Sequence, residues 1–252
     1  MSEMFFKYLI FRLAVAAQAI AAPTAAKAPV FILAGDSTTA VQSMDGGGWG
    51  NGFISFLESP AWGVNKGHNG ATTVSFVAGG DWAVVKGYVS ENAASYDPYV
   101  TIQFGHNDQK AASNISLAQY QTNLQNLATD ILNLGGTPLL VTPMTRRSFT
   151  SEHVAVDDLH DQRLATIAAA QAVGVTYLDL NQESLTYVDA IGEDAAHVYN
   201  LIPTDNTHLN DYGSIVFGRM VADLLIEKRR DLEGWVIPNH TLSDAIANGQ
   251  PA

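Results

Sequence analysis

The chain contains no cysteine. That excludes disulfide staples, thiol redox control, a cysteine nucleophile and any thiolate metal site, so a stable domain has to rest on its core alone. Positive charge is also scarce: 13 Lys and Arg stand against 25 Asp and Glu, for a formal net charge of −12 and a pI near 4.8. No basic run could neutralise phosphates, which excludes nucleic acid as a partner and disfavours anionic membranes. Charged residues make up only 15% against 47% hydrophobic, which is not the composition of a disordered chain. No internal repeat or low-complexity linker divides the sequence, and no extended apolar segment reads as a lid. No His-x-x-x-His or carboxylate cluster points to a metal, so neither metal nor cofactor is expected.

The first residues carry a message of their own. Lys7 and Arg12 flank an apolar stretch, and residues 13–23 are rich in small side chains, with an A-x-A pattern at Ala19-Ile20-Ala21. The run is interrupted by Arg12 and Gln18 and is too short to span a bilayer comfortably. We read residues 1–21 as a removable secretory signal, residues 22–252 as one domain, and the protein as secreted and extracellular.

Beyond that leader, strand and helix patterns alternate as in a parallel sheet covered on both faces. Residues 30–34, a short segment around Val64, and residues 99–104, 138–142 and 175–180 read as strands. Residues 50–58 have helical character. Leu117, Tyr120, Leu124, Leu127, Ile131 and Leu134 recur at helical spacing, with Ser116 as N-cap and Gly135-Gly136 as stop. Residues 159–173 form another helix closed by Gly174. The final long helix runs from Asn210-Asp211 to about Arg230, and the tail after Gly234 is expected to be peripheral.

Four short blocks carry the chemistry. Gly35-Asp36-Ser37 places a hydroxyl just past the first strand, where open α/β sheets bind ligands. Asn69-Gly70 and Gly105-His106-Asn107-Asp108 end two further strands, which gathers Ser37, Gly70 and Asn107 on one edge. Asp205 and His208 precede the last long helix. Three residues apart, the carboxylate can hold the imidazole so that its other nitrogen faces Ser37. The backbone N–H groups of Ser37 and Gly70 and the Asn107 amide could then serve a tetrahedral oxyanion. Asp-x-x-His is also compatible with a metal site, Asn107 with a helix cap, and Gly70 with an ordinary turn. Asp108 is expected to hold its turn. Trp49 could stack on a sugar or anchor the core, and His106 could line the pocket or satisfy its loop. Arg146 and Arg147 could be a solvated pair of charges or could form a basic patch for a uronate, in which case added salt would weaken binding.

These blocks, in this order, resemble those of the SGNH hydrolases, the GDSL lipase/acylhydrolase family, and the match runs from Val30 to the last long helix. Residues 104–110, Phe-Gly-His-Asn-Asp-Gln-Lys, are most similar to the rhamnogalacturonan acetylesterase branch. The segment after Gly70, Ala71-Thr72-Thr73, lacks the arginine and serine often found there. The resemblance implies a flavodoxin-like three-layer α/β/α sandwich with a central parallel sheet. It further implies a metal-independent serine esterase with Ser37, Asp205, His208, Gly70 and Asn107 as its site, acting on acetylated polysaccharide, most specifically pectin. A monomer is expected. A lipase or arylesterase for longer or aryl esters, and a non-catalytic carbohydrate-binding module on the same fold, are the competing readings.

Overall fold

The computed structural model describes residues 26–44 and 46–252; the proposed signal at 1–21 lies outside the described residues. Strand β1 (Pro29–Gly35) is buried along its whole length, as its unbroken apolar run requires of a strand covered on both faces. It pairs in parallel with β2 (Trp62–Asn65) on one side and β3 (Asp97–Gln103) on the other. Strands β4 (Thr137–Val141) and β5 (Thr176–Leu178) complete a five-stranded parallel sheet in the order β2-β1-β3-β4-β5. The order reverses between β1 and β3, which opens a crevice at their carboxyl ends.

Between the strands run α1 (Gly50–Ile54), α2 (Thr73–Ala78), α3 (Asp81–Asn92), α4 (Leu117–Asn133) and α5 (His160–Val173). Helices α6 (Leu180–Ile191), α7 (Glu193–His197), α8 (Asp211–Lys228) and α9 (His240–Ala247) follow β5. The two-residue period of the strands sorts side chains into two cores. Val30, Ile32 and Ala34 pack with Phe76 of α2, Trp82 and Val85 of α3, Leu124 of α4 and Ala169 of α5. Phe31 and Leu33 turn the other way, onto Phe53 of α1, Tyr187 of α6 and Phe217 and Val221 of α8. The protein is thus a three-layer α/β/α sandwich. Among the described residues no helix is long and apolar enough to cross a membrane.

Local signals explain the helix ends. The Ser116 hydroxyl accepts from the Gln119 N–H, and the chain leaves α4 through Gly135 at φ +77°. Asn210 caps α8 by accepting from the Gly213 N–H at 2.8 Å, and Val216, Phe217, Met220, Val221, Leu224 and Leu225 are all buried as expected. The tail departs from expectation. Val236 and Ile246 are buried in the core beside α8, and the Ile237 N–H donates to the Phe56 carbonyl at 2.7 Å. The C-terminal segment is therefore part of the sandwich.

Candidate active site

Strands β1 and β3 end side by side, with Gly35 in register with Gln103. A Cβ on Gly35 would collide with the Thr39 hydroxyl and lie 2.7 Å from the Gln103 carbonyl, so only glycine lets the chain turn there. Asp36 is fully buried in that turn, its Oδ1 accepting from the Thr38 N–H at 2.9 Å and the Thr38 hydroxyl at 2.7 Å. Ser37 follows, and its Oγ lies 2.7 Å from His208 Nε2. The other ring nitrogen, Nδ1, lies 2.8 Å from Asp205 Oδ2. Burial alone would raise the Asp205 carboxyl. The His208 backbone N–H and ring, with the Thr207 N–H, outweigh this and hold it below its ordinary value. In such a chain a carboxylate selects the imidazole tautomer that can accept the serine proton.

The loop carrying Asp205 and His208 is pinned from three sides. The Leu209 N–H donates to the Gly47 carbonyl at 2.8 Å, the Arg147 N–H to the Asn206 carbonyl at 2.8 Å, and the Leu201 N–H to the His208 carbonyl at 2.9 Å. Arg147 adds its side chain: Nη2 donates to the same His208 carbonyl and Nε to Asn200 Oδ1, both at 2.6 Å. This guanidinium is fully buried over the Phe217 ring, so it cannot belong to a surface basic patch. Burial pulls it down to about 9, partly offset by Asp205. Arg146 does reach the site but is paired with Asp158 at 2.6 Å. The two arginines therefore form neither a shared basic patch nor a solvated pair. Trp49 is likewise a core residue, wholly buried against Phe53 with its indole N–H donated to Gln103, and has no face for a sugar.

Asn107 follows β3. Its Nδ2 donates to the Ala71 carbonyl at 3.0 Å, and its Oδ1 accepts from Lys110 Nζ at 2.7 Å. Gly70 sits nearby at φ +78° with open space where a Cβ would be, so the left-handed backbone rather than crowding is what calls for glycine. Among the described residues the backbone N–H groups of Ser37 and Gly70 donate to no protein acceptor. Asp108 holds the turn, taking both the N–H (2.9 Å) and hydroxyl (2.6 Å) of Thr73 at the start of α2. His106 lines the pocket while only 2% exposed, its Nδ1 3.8 Å from Asp36 Oδ2, and burial followed by the charge of Arg146 keeps this imidazole well below its ordinary value.

Ser37, Gly70, His106, Asn107, Lys110, Arg146, Thr207 and His208 line an open cavity of about 390 Å³, with Asp205 behind His208. All eight lining residues are polar, charged or glycine. The five residues singled out from the sequence thus come together at the carboxyl ends of β1 and β3. Sequence reasoning does not single out Lys110 as a pocket residue, although its position three residues after Asn107 is the signal that could have found it. Among the described residues no three His, Asp or Glu side chains group as a metal site would require.

A family model for the GDSL-like lipase/acylhydrolase family matches residues 33–214, and the chain belongs to that family. By class it is a carboxylic ester hydrolase. Two Bacillus subtilis proteins resemble it over most of their length. Rhamnogalacturonan acetylesterase RhgT is 28% identical over 213 residues, 78% of this chain and 90% of that protein. The probable rhamnogalacturonan acetylesterase YesY is 29% identical over 199 residues, 75% of this chain and 89% of that protein. Among solved structures, the YXIM protein of Bacillus subtilis superposes with a TM-score of 0.71 at 22% identity, covering 83% of this chain and 59% of that one. The acetylxylan esterase Axe2 of Geobacillus stearothermophilus gives 0.56 at 16% identity, covering 81% and 94%. These two likenesses establish the shared fold.

Proposed function

We propose that this protein is a secreted serine acetylesterase that removes O-acetyl groups from pectic polysaccharide through a Ser37–His208–Asp205 triad. His208 Nε2 takes the Ser37 proton as Oγ attacks the ester carbonyl. The oxyanion of the tetrahedral intermediate is held by the backbone N–H groups of Ser37 and Gly70 and by the Asn107 amide. The carbon–oxygen bond to the sugar breaks, and the departing alcohol takes the proton from His208. Water, deprotonated by His208, then attacks the acetyl-serine, and collapse of the second intermediate releases acetate and restores Ser37.

The observation that carries the acetyl assignment is the polar lining of the cavity. A long acyl chain would find no aliphatic or aromatic hydrocarbon side chain among the lining residues to pack against, whereas an acetyl group needs little. The pectic assignment is supported by the activities for which RhgT and YesY are named. The test combines nitrophenyl esters of graded length with acetate release from acetylated rhamnogalacturonan and acetylated xylan. Acetyl should be preferred over octanoyl, acetate should be released from rhamnogalacturonan, and Ser37→Ala should lower kcat on the order of 10⁶-fold while remaining folded. Preference for octanoyl with no acetate from either polymer would make the protein a lipase or arylesterase. Release from xylan alone would overturn the pectic assignment, and more than a few per cent activity in Ser37→Ala would overturn the triad.

A further inference from the structure

The Asn107 side chain stands between two neighbours that leave it a single orientation. Lys110 Nζ can only donate, so the amide oxygen must face it; the Ala71 carbonyl can only accept, so the amide nitrogen must face that side. One N–H is then spent on Ala71, and the second remains for the cavity. The chain around Lys110 is organised for this contact. The Lys110 N–H and the Ser113 hydroxyl both donate to the Asn107 backbone carbonyl, closing a short 3₁₀ turn on Asn107. Lys110 lines the cavity, is otherwise exposed, and has no carboxylate partner among the described residues.

We propose that Lys110 is a positioning residue for ester hydrolysis, its ammonium orienting and polarising the Asn107 amide so that the free N–H becomes a stronger donor to the oxyanion. The inference rests on the role proposed above for Asn107. A cation on an amide oxygen draws electron density from the nitrogen, and hydrogen bonds in series polarise one another. The gain is largest when full negative charge develops on the ester oxygen, so it belongs to the transition state and should appear in kcat rather than KM. A lysine that merely attracted an anionic polymer would do the reverse.

The experiment measures kcat and KM on uncharged nitrophenyl acetate for the wild type, Lys110→Met, Lys110→Arg, Asn107→Ala and the Asn107→Ala/Lys110→Met double variant, with melting temperatures as a check on folding. Asn107→Ala should lower kcat roughly 10²- to 10³-fold. Lys110→Met should lower it roughly tenfold to a hundredfold at nearly constant KM, as for loss of a charge-assisted hydrogen bond, and Lys110→Arg should recover part of that loss. In the Asn107→Ala background, Lys110→Met should cost less than about threefold, because the group it acts through has gone. An unchanged kcat in Lys110→Met, or losses that multiply in the double variant, would overturn the inference. An unchanged kcat in Asn107→Ala would overturn the parent assignment and this one with it.

Discussion

At the scale of single residues, the buried carboxyl of Asp36 makes the most exposed prediction. Burial, reinforced by the charge of Asp108 and opposed by the Thr38 hydrogen bonds and His208, pushes it up to about 6 from an ordinary 3.8. The unfolded chain gives up this proton at lower pH than the native state, so the native state binds more protons between about pH 4 and 6. The contribution of Asp36 to stability therefore declines as pH rises through that window and then levels off, at about 1.4 kcal/mol for each unit of displacement. Asp205, held below its ordinary value, works in the opposite sense, which is why a difference measurement is needed. In Asp36→Asn the amide oxygen can still accept from Thr38, and the amide nitrogen faces neutral His106. Urea midpoints should show Asp36→Asn more stable than the wild type at pH 7, with the difference shrinking to nothing below about pH 4. A difference that does not vary with pH would show that the charge is not what the site tolerates.

At the scale of elements, the site depends on four loops meeting, and Arg147, on the loop after β4, ties down the one that carries Asp205 and His208. Arg147→Met keeps much of the buried volume and removes the cost of burying a charge, so stability should change by no more than about 2 kcal/mol. The His208 carbonyl loses one of its two donors, however, keeping only the Leu201 N–H, and small misplacements of a general base are expensive. We expect kcat to fall on the order of tenfold to a hundredfold, out of proportion to any loss in melting temperature. A destabilised variant with unchanged kcat would reduce Arg147 to packing. The same residue shows where the sequence stops being legible. The strand ends and their Gly, Ser and Asn turns can be read because each signal is local, and for that reason the pattern alone places Ser37, Gly70 and Asn107 on one edge. Arg147 escapes such a reading, since charged side chains are rarely buried, and nothing near it in sequence reveals that Asn200 and the His208 carbonyl will enclose it. Helix α3 is illegible because Trp82, Val85 and Val89 face the core while Val84 is exposed and Gly87 interrupts, a mixture that fits strand and helix alike. The tail reads as peripheral because its apolar residues, among them Trp235-Val236-Ile237 and Ile246, are few and sustain no helical or strand period. Val236 and Ile246 are buried only through tertiary contact with α8 and with the Phe56-Leu57 segment after α1.

At the scale of the whole molecule, charge sets the sign of the salt dependence. With Arg147 buried and Arg146 paired, Lys110 is left, among the described residues lining the cavity, as the cation without a carboxylate partner, and one such charge offsets little of a net −12. A uronate polymer should then be repelled at long range. Raising ionic strength from about 0.01 M to 0.15 M shortens the screening length from roughly 30 Å to 8 Å. On acetylated rhamnogalacturonan, kcat/KM should rise over that range, while uncharged nitrophenyl acetate should respond little. A fall with salt on the polymer would instead point to a cationic docking surface.

The hydroxyl and the imidazole that meet at 2.7 Å are 171 residues apart along the chain, and the sheet between them is wholly parallel. Parallel pairings close long loops before any contact rewards them, which makes such folds slow to assemble. Nothing resembling the Ser37–His208 contact can exist until α8 has docked, because the Asp205–His208 loop leads directly into that helix. A partly folded chain can already have its first strands paired and still hold an inert serine. Reactivity at Ser37 is therefore a late event in the life of each molecule, and a serine-directed label would count finished copies rather than collapsed ones.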